Sequence, residues 1–115
     1  MPKTKIAKFQ KERERLNKLV MKYGKTNIKR FYSIDSYVYK AGALPKKTKE
    51  LLGLACSLVL RCDDCVKYHI IQCKKEGIKD NELEEALSIA LVVGGSIVIP
   101  HLRRAFEAWE EVKKR

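Results

Sequence analysis

Between Arg61 and His69 the chain reads Arg-Cys-Asp-Asp-Cys-Val-Lys-Tyr-His, a Cys-x-x-Cys pair with a histidine four residues after its second cysteine. On a helix, positions i and i+4 share a face, so the His69 imidazole can approach the Cys65 sulfur directly or through a water. Cys62 lies three residues before Cys65, close enough for a disulfide between them if the first turn permits the sulfur geometry. The thiolate is the reactive form of cysteine, and both a helix N-terminus and a neighbouring histidine favour it. A hydroperoxide or a disulfide could be attacked by the Cys65 thiolate, and Cys62 would then resolve the sulfenic acid or mixed disulfide into an intramolecular bond.

Other readings of the same residues stay open. Cys62, Cys65, Val66, His69, Ile70 and Cys73 recur at helical spacing and could form one buried stripe of small hydrophobes with a satisfied histidine. Zinc could draw on Cys62, Cys65, His69 and either Cys73 or Cys56, although ligands on one straight helix span too much length for a closed tetrahedron. A thioredoxin-like site needs a βαβ context, and no strand pattern is visible. No metal and no cofactor is expected.

The elements that must hold these groups read as helices. Nothing alternates with period two over a convincing length, so the chain is expected to be all-α, with about six helices. A first helix runs from about Thr4 to Lys22 and stops at Gly24 as a left-handed cap. A second begins after Asn27 and ends near Gly42, with Phe31, Ile34, Tyr37, Val38 and Ala41 on its apolar face. The third starts at Pro45 and carries Leu51, Leu54, Ala55, Leu58 and Val59 on one face. The fourth opens near Arg61 and closes at Gly77, with Asp63 and Asp64 in the first turn, where the helix dipole favours carboxylates. The fifth is capped by Asp80 or Asn81. Beyond Glu85 it is apolar on every side, which implies burial against another subunit. Gly94-Gly95 breaks it or permits close backbone approach, and Pro100 opens the last helix.

At 115 residues the chain is expected to be a single domain, residues 1–115. Its charge is uneven. Residues 1–30 hold 11 Lys/Arg, Lys3 among them, against Glu12 and Glu14, a balance of +9 within a total of +11. This basic N-terminal helix, residues 1–24, could neutralise phosphates, but no helix-turn-helix, zinc finger or base-stacking aromatic pair accompanies it, so nucleic acid is not expected as a partner. A rival from another class is a non-enzymatic binding or assembly protein whose basic helix meets an acidic partner. No stretch reaches the about 20 apolar residues of a membrane span, and the N-terminus lacks a secretory signal. A cytoplasmic location is expected, where four cysteines are not a disulfide framework.

Glu50, twelve residues before Cys62, then Cys62, Cys65 and His69 match the Glu-x11-Cys-x-x-Cys-x3-His pattern of the AhpD-like proteins, in the carboxymuconolactone decarboxylase superfamily. The stretch LPKKTKELLGLACSLVLRCDDCVKYHI, followed by an acidic helix start and Gly94-Gly95, resembles that superfamily's core over about residues 40–100. The resemblance implies an all-helical homotrimer or homohexamer that reduces hydroperoxides with electrons from an external dithiol. It also implies roles: Cys65 attacks, Cys62 resolves, His69 is the base acting through water, and Glu50 is the outer member of a proton relay. If the third and fourth helices pack antiparallel, Glu50 need not lie near Cys65, and another reading makes it a first-turn carboxylate facing the helix dipole. Asp64 stands where the best characterised hydroperoxidases have a histidine, and its charge would raise a neighbouring thiol pKa. The decarboxylase branch lacks the cysteine pair, so a lyase activity is the lesser alternative. Cys56 and Cys73 are expected in the core, and His101 at the surface or as a cap.

Overall fold

A computed structural model describes residues 4–114; Lys3 of the basic segment lies outside them. It contains six α-helices and no strand among the described residues: α1 Lys5–Tyr23, α2 Thr26–Val38, α3 Lys46–Val59, α4 Asp63–Lys75, α5 Asp80–Gly94 and α6 Ile99–Lys113, with a single 3₁₀ turn, Ser96–Val98, before the last. The expected all-α class is what the chain adopts.

The core is built by α3, α4, α5 and α6. Leu54 and Leu58 on α3 join Val66, Ile70 and Cys73 on α4, Leu83, Leu87 and Ala90 on α5, and Ala105, Trp109 and Val112 on α6. These are the helical-period apolar positions, and burying each removes its side chain from water at roughly 1.5–3 kcal/mol for the larger ones. From α1 only Ile6 is buried in this core, with Phe9 packed against it. The start of α1 is fastened to α6: Ile6 N–H donates to Glu111 Oε1 at 2.9 Å, and Lys5 Nζ pairs with Glu107 at 3.1 Å. Further along, Leu16, Leu19 and Met21 are exposed.

Several element ends differ from expectation for identifiable reasons. Gly24 is extended, at φ −70° and ψ 135°, rather than left-handed. An added Cβ there would sit 2.6 Å from the Val20 carbonyl oxygen, so close approach calls for glycine. Helix α2 stops at Val38 instead of Gly42 because Lys49 Nζ donates to the carbonyls of Val38 at 2.7 Å and Lys40 at 2.8 Å, serving groups that another helical turn would use. Pro45 is the N-cap of α3 rather than its first residue. At α5 the cap is Lys79, whose N–H donates to Glu82 Oε1 at 2.9 Å. Asp80 is instead engaged by α6, accepting from Trp109 Nε1 at 2.8 Å and Lys113 Nζ at 2.9 Å. Gly95, at φ 82° and ψ −174°, ends α5 in a conformation open essentially to glycine alone.

The turn between α3 and α4 matters most. Arg61 N–H donates to Leu58 O at 2.9 Å and Cys62 N–H to Ser57 O at 3.1 Å, the paired bonds of a Schellman cap, with Arg61 left-handed at φ 59°. A side chain in that conformation is strained by about 1–2 kcal/mol, partly offset by glycine's greater freedom when unfolded. Arg61→Gly is therefore expected to stabilise the fold by about 0.5–1 kcal/mol, read as a rise in the urea midpoint at unchanged slope. A lower midpoint would show that the Arg61 side chain contributes more than its backbone costs.

Two apolar surfaces stay uncovered. No residue of α2 is buried, and Phe31, Ile34, Tyr37 and Val38 lie open to solvent. The far end of α5 shows Ile89, Val92 and Val93, with Val92 84% exposed.

Candidate thiol/disulfide site

Helices α3 and α4 form a hairpin, and its register explains the site. Residues equidistant from the three-residue turn face each other, so position 53 opposes position 69. An ideal Cβ on Gly53 would indeed meet His69 Cε1 at 2.6 Å and Nε2 at 2.8 Å. Glu50 lies one turn from Gly53 on the same face. Its side chain, 1% exposed, accepts from or shares a proton with His69 Nδ1 at 2.9 Å from Oε1. Antiparallel packing thus brings Glu50 to the histidine. Glu50 is also the fifth residue of α3, beyond the first turn, where the dipole is felt most.

The other Glu50 oxygen, Oε2, receives Lys46 Nζ at 2.8 Å, and this hydrogen bond holds the Lys46 ammonium above its usual pKa. A carboxylate so paired only accepts, so Nδ1 carries the proton between them, and in the neutral ring Nε2 presents its lone pair on the side of Tyr39. Tyr39, just past α2, places its hydroxyl 3.4 Å from Nε2. Burial pushes the Tyr39 phenol up, with smaller contributions from Asp35 and Glu50, so it remains a donor. Lys46, Glu50, His69 and Tyr39 form one chain from the half-exposed ammonium to the histidine's outer nitrogen.

Gly53 makes that chain possible, since a Cβ would also come within 2.7 Å of Tyr39 Oη. Gly53→Ala is expected to cost about 1–3 kcal/mol in stability, as overpacking does. Because Glu50 pins the ring, His69 cannot move aside freely, and a thiol reaction served by it should slow at least tenfold. Denaturant midpoint and turnover together check this. An alanine variant with full activity would mean that the ring shifts without consequence.

Cys62 is the N-cap of α4, and its sulfur accepts the Cys65 N–H at 3.2 Å. It is also the residue that closes the Schellman turn of α3. Cys62 and Cys65 are joined as a disulfide, with Cα atoms 5.3 Å apart. Cys65 is exposed while Val66, His69, Ile70 and Cys73 are buried, so the cysteine pair does not continue the apolar stripe. A cleft of about 740 Å³ opens at Cys65 and His69, with Phe9 of α1, Phe31 and Tyr32 of α2, and Tyr68 of α4 in its walls.

The remaining candidates separate. Cys73 is buried, and burial pushes its thiol up to about 12. Cys56 is exposed, contrary to its expected place in the core, because it faces outward from α3. No cluster of three or more His, Cys, Asp or Glu side chains is arranged to hold a metal among the described residues. His101 sits partly buried with Nδ1 2.8 Å from Asp63 Oδ1, while Arg104 reaches Asp63 Oδ2 at 3.2 Å. These bonds tie α6 to the first turn of α4. Sequence reasoning missed Tyr39, Lys46 and Gly53. Lys46 left one signal, the i,i+4 spacing to Glu50.

The model of the carboxymuconolactone decarboxylase family matches residues 28–110. Among solved structures, the chain is 57% identical to a Thermotoga maritima "carboxymuconolactone decarboxylase family protein possibly involved in antioxidative response", covering 93% of this chain and 91% of that one with a TM-score of 0.89. An apo carboxymuconolactone decarboxylase family protein from Legionella pneumophila is 30% identical, covering 93% and 96% with a TM-score of 0.86. A Paracoccus denitrificans protein called "uncharacterized protein 4 in cox locus" is 27% identical over 82 residues, 71% of this chain and 74% of that one.

Proposed function

Because the chain belongs to the carboxymuconolactone decarboxylase family, we propose that it works as an AhpD-like thiol-dependent peroxidase, reducing hydroperoxides through a Cys62-Cys65 dithiol. The observation that carries this reading is a disulfide at the mouth of a cleft whose wall holds a histidine buried on a carboxylate. In the reduced protein, His69 Nε2 takes the Cys65 proton, directly or through a water. The Cys65 thiolate attacks the outer peroxide oxygen, the O–O bond breaks, and the departing alkoxide leaves as alcohol with that proton. Cys62 sulfur then attacks the Cys65 sulfenic acid, forming the disulfide and releasing water.

Regeneration uses the same asymmetry. An external dithiol attacks the exposed Cys65 sulfur, and Cys62 departs as a thiolate stabilised by the Cys65 N–H and the start of α4. The donor's second thiol then closes the donor disulfide and frees Cys65. A dithiol donor fits a reducing cytoplasm. No described helix is long and apolar enough to cross a membrane. The uncovered faces of α2 and α5 support a homo-oligomer, a trimer or hexamer, as the working form.

The test is a titration of fully reduced protein with hydroperoxide, followed by alkylation and mass spectrometry. One equivalent should convert Cys62 and Cys65 to an intramolecular disulfide, and a dithiol should sustain turnover. Cys73, whose thiol stays protonated at neutral pH, should survive untouched as an internal reference. Peroxide consumption no faster than by free dithiol would sink the reading.

A further inference from the structure

Resting on that reading, the cleft beside Cys65 narrows the class of hydroperoxide. Hydrogen peroxide touches little more than the reacting sulfur and needs no large apolar space. The cleft here, about 740 Å³, has the size of sites that take organic molecules, and Phe9, Leu16, Tyr32 and Tyr68 supply apolar walls. Its charges are unequal in kind. Lys5 is paired with Glu107, and Glu12 with Arg15, so those charges are answered within the chain. Lys8 has no ion-pair partner among the described residues, while Arg13 lies 4.4 Å over the Tyr68 ring and Lys67 5.6 Å over the Phe9 ring instead of meeting carboxylates.

Two carboxylates, Asp35 and Asp64, also line the cleft without an ion pair. Asp64 sits in the first turn of α4, where the positive end of the helix answers it. Three cations therefore face the cleft against one carboxylate with no local compensation. Lys67, half-buried and held over the Phe9 ring, is preorganised, a setting in which an added anion gains more than at a freely mobile side chain.

We propose that the cleft binds amphipathic organic hydroperoxides bearing a carboxylate, with the alkyl or aryl body on the aromatic walls, the carboxylate at Lys8 and Lys67, and the peroxide at Cys65. The transferred oxygen goes to Cys65 as sulfenic acid, and the substrate leaves as the matching hydroxy acid, proton and electrons balanced as in the cycle above. Because the carboxylate is held the same way before and after reaction, its contribution should appear in KM more than in kcat.

Two measurements on the full chain decide this. The first compares kcat/KM for a carboxylated alkyl hydroperoxide and its methyl ester. Wild type should prefer the acid about tenfold at low salt, with less preference as salt rises, and a Lys8→Gln/Lys67→Gln variant should bring the ratio near one. The second needs no turnover: decanoate should protect reduced Cys65 from alkylation in wild type, and the double variant should lose that protection. Equal use of acid and ester, or a ratio unmoved by the double substitution, overturns the proposal. A protein inactive toward every peroxide would end the peroxidase reading, and decanoate protection alone would then decide whether the cleft is an anionic-lipid-like site. Absence of protection would overturn that as well.

Discussion

Cys65→Ser is expected to bring dithiol-driven hydroperoxide turnover down to the uncatalysed rate, whereas pre-reduced Cys62→Ser, freed of dithiol, should consume one equivalent of peroxide and stop. The difference follows from placement. Cys65 is exposed and opens on the cleft that also holds His69, so on the proposed mechanism removing its sulfur removes the atom that meets substrate. Serine at 62 keeps the N-cap acceptor that α4 needs, since a hydroxyl oxygen caps well, and leaves Cys65 able to attack once. Without the Cys62 sulfur the sulfenic acid has no partner three residues away. Mass spectrometry should find Cys65 heavier by one oxygen and trappable by a sulfenate-specific nucleophile. If Cys65→Ser instead retains the single round, Cys62 is the attacking sulfur, and its N-cap position rather than the histidine supplies the activation.

Glu50→Gln is expected to lower kcat by about 10²- to 10⁴-fold, the range over which a correctly protonated base acts. The amide has nearly the same shape, so loss of volume is not the cause. Glutamine can offer its NH₂ to His69 Nδ1, which favours the tautomer with hydrogen on Nε2, the nitrogen needed as base. It also leaves Lys46 without its carboxylate partner at 2.8 Å. Folding stability should fall as well, but less than for a fully buried pair, because the Lys46 side chain is 38% exposed and water can take over. The distinguishing readout is the pH profile: the variant should lose the limb that reports the base, and raising pH should recover rate as hydroxide replaces the histidine. An unchanged kcat with lowered stability would reduce Glu50 to a structural anchor.

Much of the scaffold was legible because its signals are local. The apolar repeat of α3 survives as a core face, and Gly77 ends α4 as expected, with Ile78 N–H returning to Cys73 O at 3.0 Å. Errors fell where a distant group settles an end: Lys49 stopping α2, and α6 claiming Asp80. The four residues of the Glu50, Cys62, Cys65 and His69 pattern were visible by spacing, yet the Glu50–His69 contact was not, because it depends on the turn that sets hairpin register. Tyr39 was invisible, since nothing in its neighbours marks a tyrosine thirty positions upstream as a partner of His69. Gly53 carried a faint signal, a glycine inside an otherwise strong helix, where a packing reason is the usual cause. Exposed apolar residues on α2 were read as a face, but one chain offers that face nothing to pack on.

The three-residue turn joining α3 to α4 also has a kinetic consequence. Glu50, Gly53, Cys62, Cys65 and His69 all belong to one helical hairpin, so their encounter closes a short stretch of chain and loses little loop entropy. Contacts of such low sequence separation form early when a protein folds. The thiol pair would then meet its histidine on the nascent chain well before α6 arrives to cover the core.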